Sequence, residues 1–152
     1  MNVLFVCEDC SLGLMAESIL NALGNGRFHA YSAGRAPAQA ASRAAIDFLA
    51  QHHMRVDGLR PKSVEGFRAG NATRMDFIIT LGELDESFAD WPGAPFVAHW
   101  NVPDDCDVRE ATQRDAFWTL MRRIKIFASL PQGSLNRRVL ERRAITLQPS
   151  YL

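Results

Sequence analysis

A short apolar run and the turn that follows it are the most informative part of the chain: residues 2–13 read NVLFVCEDCSLG. Apolar residues rich in β-branched and aromatic side chains predict a strand that is buried on both faces. A helical pattern follows at once, with Ser11 as the predicted N-cap and one apolar stripe at Leu12, Met15, Ala16, Ile19, Leu20 and Leu23. The chain therefore opens with a buried strand that leads directly into an amphipathic helix.

Strands and helices continue to alternate along the chain. Further strands are predicted at residues 27–32, 76–81 and 96–100. Helices are predicted from Pro37 to a surface pair, His52 and His53, then at 61–69 with Val64 and Phe67 inward, at 83–89, and over a stripe of Phe117, Leu120, Met121, Ile124 and Phe127. Such alternation implies parallel pairing through right-handed crossovers. We expect an α/β fold: a single-domain, doubly wound, parallel four-stranded sheet flanked by helices, with ligands beyond the carboxyl ends of the strands.

Length and composition exclude several classes of protein. The 152 residues are 47% hydrophobic and 22% charged, which is typical of one globular domain and excludes a disordered tail or a fibre. Seventeen basic and seventeen acidic residues cancel, so neither nucleic acid nor a membrane is an expected partner. No run approaches the ~18 apolar residues of a membrane span, and the first residues lack a secretory pattern, so a cytoplasmic location is expected. Three cysteines are too few for a disulfide framework.

The turn after the first strand carries a cysteine where a thiolate is favoured. Cys7 ends the strand, and the predicted helix begins a few residues later. The positive end of a helix dipole and nearby backbone amides stabilise a thiolate and can also cradle an oxyanion. A nucleophilic thiolate beneath an anion cradle is what phosphoryl transfer through a cysteine intermediate requires.

Six short pieces of sequence in a fixed order extend this interpretation: residues 3–7, 15–17, 32–34, 62–67, 76–80 and 99–104. In this order and spacing the chain resembles the low-molecular-weight protein-tyrosine phosphatases and the thioredoxin-coupled arsenate reductases that share their fold. The resemblance implies a low-molecular-weight phosphatase-like domain over residues 1–130. It leaves residues 131–152 as a basic C-terminal extension, predicted to be a short helix packed on the domain or trailing from it.

The resemblance also implies an activity and the residues that carry it. It implies a cysteine-dependent phosphomonoester hydrolase without a cofactor, acting on a phosphorylated protein or a small phosphomonoester. Cys7 matches the nucleophile, and Asp104 matches by position the acid that protonates the leaving oxygen. The phosphate-binding loop corresponds to Glu8, Asp9, Cys10, Ser11, Leu12 and Gly13.

The loop departs from the family pattern where it should grip phosphate. Counted back from the Met-Ala-Glu piece, the family's arginine falls at Leu12 and its serine at Gly13, and the loop is one residue short. Glu8 and Asp9 add carboxylates, and a carboxylate about 5 Å from a phosphate oxygen costs roughly 3 kcal/mol at an effective dielectric near 20. Loss of a bidentate arginine adds about 3–4 kcal/mol by analogy with one oxyanion donor. We therefore predict impaired or absent phosphatase activity.

Two other interpretations stay open. One is a non-catalytic binding or regulatory pseudo-phosphatase with an unknown protein partner. The other is a thiol redox or metal site built on Cys7, Cys10 and Cys106. A tetrahedral zinc site needs a fourth ligand, and His99 is expected to be a packed structural residue. The acidic residues at 104–107 lack the spacing of a calcium loop, so no metal site is predicted.

Overall fold

The computed structural model describes residues 1–8, 11–35, 43–69, 72–82, 91, 93, 95–100, 102 and 110–130, with the backbone alone at 11, 44 and 110–113. Strands and helices alternate along the chain: β1 (Asn2–Cys7), α1 (Ser11–Leu23), β2 (His29–Gly34), α2 (Arg43–Gln51), α3 (Glu65–Arg68), β3 (Phe77–Leu81), β4 (Phe96–Trp100) and α4 (Glu110–Ser129). The predicted helix start at Pro37, the predicted turns at 83–89 and the predicted extension at 131–152 lie outside the described residues. The domain boundary at residue 130 therefore stays a prediction.

The four strands form one parallel sheet in the order β2-β1-β3-β4. Val6 on the central strand stands opposite Ala33 on β2 and Thr80 on β3, and Thr80 stands opposite His99 on β4. Every residue of β3 is buried. Because helices and loops cover both faces of such a sheet, its central strands carry continuous apolar runs. The predicted α/β fold with a four-stranded parallel sheet is confirmed.

Successive side chains along the strands belong in turn to two apolar clusters, one on each face of the sheet. Phe5 and Cys7 point into the larger cluster, between the sheet and the helices α1, α2 and α4, whereas Leu4 and Val6 point into the smaller one on the other face. Helix α4 contributes the predicted stripe to the larger cluster, all of it buried: Phe117, Leu120, Met121, Ile124 and Phe127. In the described part of the chain, no helix is long and apolar enough to cross a membrane.

Strand β2 lies two residues further along the chain than predicted. Arg27, expected in the strand, instead donates from Nη1 to the carbonyl of Ala128 at 3.2 Å and from Nη2 to that of Leu130 at 2.8 Å. These carbonyls belong to the end of α4, where the helix leaves acceptors without partners of its own. At its other end β2 follows β1 as far as the pair Cys7 and Gly34. Pairing with the parallel neighbour, rather than local propensity, sets the bounds of the strand.

Helix α3 is shorter than the predicted span of 61–69. The backbone N–H of Gly34 donates to the carbonyl of Lys62 at 2.8 Å, and the N–H of Val64 donates to the carbonyl of Gly34 at 3.1 Å. Because of these bonds, the chain runs beside the end of β2 as far as Val64, and the helix begins only at Glu65. Val64 is buried as predicted, and Phe67 is half-buried against the smaller cluster.

The prediction that His52 is a surface residue is wrong. Its ring stacks on Phe48 with centroids 4.4 Å apart and lies 4.9 Å from the ring of Phe117. Its Nδ1 is 2.9 Å from the carbonyl oxygen of Phe48. His53 is exposed, as predicted, and ends α2 with a φ of 60°. The contact with Phe48, one turn earlier, follows from the helical spacing that places both residues on one face at the end of α2. The contact with Phe117 of α4 has no signal in the sequence around residue 52.

Candidate active site

The side chain of Cys7 lies at the carboxyl end of the central strand and is fully buried. Gly34 stands opposite it on β2, and the carbonyl of Cys7 accepts a hydrogen bond from the N–H of Arg35 at 3.0 Å. Its sulfur is a thiol and forms no disulfide with any residue that the structure describes. The thiol thus occupies the edge of a parallel sheet at which ligands bind in doubly wound folds.

The first turn of α1 packs directly against this sulfur. A Cβ built on Gly13 would lie 3.1 Å from Sγ of Cys7 and 3.2 Å from Cβ of Ser32. Both separations are shorter than an ordinary van der Waals contact, so the absence of a side chain at residue 13 allows the helix to approach this closely. The thiol therefore faces the end of α1 whose dipole favours an anion.

Leu12 is directed into the protein rather than towards a bound anion. Its side chain is 5% exposed and belongs to the larger apolar cluster, together with Met15 and Ile19 of the same helix. The apolar stripe of α1 thus begins at residue 12, as its spacing predicts. The position at which the resemblance places a guanidinium is therefore a core position in this chain.

The other predicted loop residues are described only in part. The side chain of Glu8, directly after Cys7, is exposed. Four predicted site residues lie outside the described part of the chain: Asp9, Cys10, Asp104 and Cys106. Ser11 is described by its backbone alone. The structure therefore brings Cys7, Leu12 and Gly13 close together. The roles of the remaining loop residues stay predictions.

His99 points away from the thiol of Cys7. Its Nδ1 lies 2.8 Å from Oγ1 of Thr80, which stands opposite Val6 in the sheet. Neighbouring residues of a strand face opposite sides, so His99 and Thr80 lie on the other face of the sheet from Cys7. Within the described ranges, no three or more His, Cys, Asp or Glu residues are grouped so that they could hold a metal ion.

A buried polar network that the sequence reasoning missed lies behind the thiol. The carboxylate of Glu17 accepts a hydrogen bond from Oγ of Ser32 at 3.0 Å, and Nζ of Lys62 lies 3.2 Å from its other oxygen. Glu17 and Ser32 are buried, and Lys62 is partly so. Glu17 lies one helical turn after Gly13, so an acid on the face of α1 that meets the sheet is the signal that could have revealed it.

The backbone of the segment before α3 brings Lys62 to this network. Its carbonyl and the N–H of Val64 both bond to Gly34, at the end of β2. Ser63, between them, forms an isolated parallel bridge with the same glycine. The segment thus lies beside the strand end that pairs with Cys7, and the lysine side chain reaches the carboxylate on α1.

Replacing Glu17 with glutamine should remove a pH dependence of stability. Burial raises the pKa of Glu17 above its ordinary value of 4.5, and Lys62 and Ser32 oppose that rise. Between pH 4.5 and the raised pKa, the folded protein binds more protons than the unfolded chain. The stabilisation from this group is therefore complete below the unfolded pKa and is lost as the pH rises through the folded one.

Urea titrations of the wild type and Glu17→Gln at a series of pH values would measure this effect. The difference in the free energy of unfolding, wild type minus variant, should fall as the pH rises from about 4.5. Glu65→Gln, a change of an exposed acid on α3, is the control and should leave the pH profile unchanged. A difference that is flat or that grows with pH would contradict the prediction.

The family follows from a comparison of the whole sequence with known protein families. Residues 2–125 match the low molecular weight phosphotyrosine protein phosphatase family. The chain belongs to this family. The match begins at the first residue of β1 and extends into α4, so it covers the sheet and the cysteine turn together. The family predicted from the six sequence pieces is thereby confirmed. A sequence comparison with curated proteins finds no match.

Solved structures of this family and of arsenate reductases share the fold. The arsenate reductase of Archaeoglobus fulgidus DSM 4304 is 25% identical, with a TM-score of 0.69 over 84% of this chain and 99% of that one. An arsenate reductase in its phosphate-binding state is 22% identical, with a TM-score of 0.72 over 84% and 96%. The low molecular weight protein tyrosine phosphatase of T. tengcongensis is 21% identical, with a TM-score of 0.64 over 86% and 99%.

Proposed function

We propose that this chain is a phosphatase-family protein that keeps the cysteine-bearing scaffold but hydrolyses phosphomonoesters with impaired efficiency or not at all. The observation that carries the proposal is the burial of Leu12 in the larger apolar cluster. An arginine in this loop would bind two phosphate oxygens with its planar guanidinium. A leucine packed in the core offers no hydrogen-bond donor to an oxyanion. The missing guanidinium costs about 3–4 kcal/mol of transition-state stabilisation.

The charge of Glu8 adds less to this loss than the sequence alone suggests. The carboxylate of Glu8 is exposed, so water and salt screen its repulsion of a bound dianion. The proposal therefore rests on the missing guanidinium and not on the charge of Glu8. Cys7 remains the proposed nucleophile and Asp104 the proposed acid for any residual turnover, and the substrate would be a phosphorylated protein or a small phosphomonoester. The expected cytoplasmic location stays a prediction.

Steady-state kinetics on p-nitrophenyl phosphate and on a phosphotyrosine peptide would test the proposal. The wild type should hydrolyse both substrates with a kcat/KM far below about 10⁴ M⁻¹s⁻¹, and Cys7→Ser should remove whatever part of that turnover passes through the thiol. Turnover that Cys7→Ser abolishes, at a kcat/KM in the range of about 10⁴ M⁻¹s⁻¹ or above, would overturn the proposal. Cysteine-dependent turnover far below that range would fit impaired activity, whereas none at all would fit a pseudo-phosphatase.

A further inference from the structure

Gly13 and Ser32 link the sulfur of Cys7 to an ion pair between Glu17 and Lys62. The Cα of Gly13 faces both side chains so closely that a Cβ added there would lie 3.1 Å from Sγ of Cys7 and 3.2 Å from Cβ of Ser32. The hydroxyl of Ser32 donates to Glu17 at 3.0 Å, and Glu17 lies 3.2 Å from Nζ of Lys62. Behind the sulfur the described residues thus place a buried carboxylate and a partly buried ammonium, which form an ion pair.

Other charged groups near this end of the sheet are placed differently. Glu8 follows Cys7 directly and Arg35 follows β2, and both side chains are exposed to solvent. His99 lies on the opposite face of the sheet, bonded to Thr80. Solvent and salt screen exposed charges strongly, whereas a charge in a buried site acts through a lower effective dielectric. A change in the charge of the Glu17–Lys62 pair is therefore screened less at the sulfur than a change at Glu8 or Arg35.

We propose that Glu17 and Lys62 are positioning residues that set how readily the Cys7 thiol ionises, by keeping the buried charge behind the nucleophile neutral. A lone carboxylate at residue 17 would disfavour a thiolate, and a lone ammonium at residue 62 would favour it. The pair also joins α1, which packs on the sulfur, to the segment beside β2. The proposal concerns the thiol itself and does not require that the protein hydrolyse phosphate.

Single and double substitutions of the pair should shift the ionisation of Cys7 in opposite directions. Glu17→Gln leaves the ammonium uncompensated and should lower the pH at which Cys7 ionises, by about one pH unit for charges of roughly 10 Å separation at an effective dielectric near 20. Lys62→Met leaves the carboxylate uncompensated and should raise that pH. The double variant removes both charges and should return to the wild-type value.

The rate of alkylation by iodoacetamide as a function of pH measures this ionisation. The thiolate displaces iodide and forms a thioether, so the rate follows the thiolate fraction. Burial of the side chain lowers the plateau and raises the midpoint in all variants alike, so differences between variants report the effect of the substituted charges. All variants carry Cys10→Ser, because Cys7 and Cys10 share the tryptic peptide of residues 1–27. Cys106 lies on the separate peptide of residues 75–109, so mass spectrometry resolves the two remaining thiols.

Two controls separate a charge effect from a structural one. Lys62→Arg keeps the positive charge and should keep the wild-type midpoint, and Glu65→Gln changes an exposed acid and should shift nothing. Circular dichroism establishes that each variant is folded. If Lys62→Met unfolds, Glu17→Gln alone decides the matter, because the new side chain has nearly the same shape. An unchanged or raised midpoint in Glu17→Gln, or shifts of the same sign in both single variants, would overturn the proposal, whatever the phosphatase assay shows.

Discussion

The Leu12→Arg variant should be less stable than the wild type by about 3 kcal/mol or more and should hydrolyse phosphomonoesters no faster. Leu12 is 5% exposed within the larger apolar cluster, so the new guanidinium would enter the core without an acceptor. An uncompensated charge in such a place costs several kcal/mol. Restoring the family's residue type therefore does not restore its function, because the side chain leaves α1 on the wrong side. Urea unfolding and p-nitrophenyl phosphate kinetics measure the two effects.

Leu12→Met is the matched control for this experiment. It changes the shape of the side chain while keeping its volume and polarity, and it should cost less than about 1.5 kcal/mol. A stable Leu12→Arg protein with turnover that depends on Cys7 would mean that residue 12 reaches the anion site. That result would remove the main argument for an impaired phosphatase.

Phe117→Ala should lower the free energy of unfolding by about 3–5 kcal/mol. Phe117 is fully buried on α4, and its ring lies 5.3 Å from that of Phe48 and 4.9 Å from that of His52. The substitution removes a large apolar side chain from the place where α2 and α4 meet and leaves a cavity that the neighbours fill only in part. Chemical denaturation followed by circular dichroism would measure the loss.

Trp118→Ala tests whether this loss comes from burial. The side chain of Trp118 is adjacent on the same helix, is larger than Phe117 and is 47% exposed. Its removal should cost less than that of Phe117, because about half of its surface already faces water. Equal losses for the two variants would show that α4 does not pack through the stripe that the fold assigns to it.

Patterns within single elements predicted most of the fold. The unbroken apolar run of β3 indicated a strand covered on both faces, and every residue of Phe77–Leu81 is buried. The stripe of α4 likewise identified its buried side. Errors arose where a distant partner decides the outcome. Arg27 was predicted to lie in a strand but instead donates to carbonyls at the end of α4, and His52 packs against Phe117 of α4.

The candidate site shows the same division. The spacing of α1 predicted that Leu12 is a core residue, because a stripe along one helix is visible in the sequence alone. The pairing of Glu17 with Lys62 was not predicted, since 45 residues separate them and the carbonyl and N–H bonds at Gly34 bring them together. A backbone bridge of this kind has no signature in side-chain patterns. The roles of Cys7 and Asp104 as nucleophile and acid stay predictions.

The central position of β1 has a consequence for synthesis on the ribosome. This strand is made before the other three strands, yet one of its edges pairs with β3, which the ribosome adds some seventy residues later. Until then the nascent chain exposes an apolar strand edge, which is a template for pairing with other chains. The strand that ends at the thiol therefore stays open to pairing with other chains until β3 has left the ribosome.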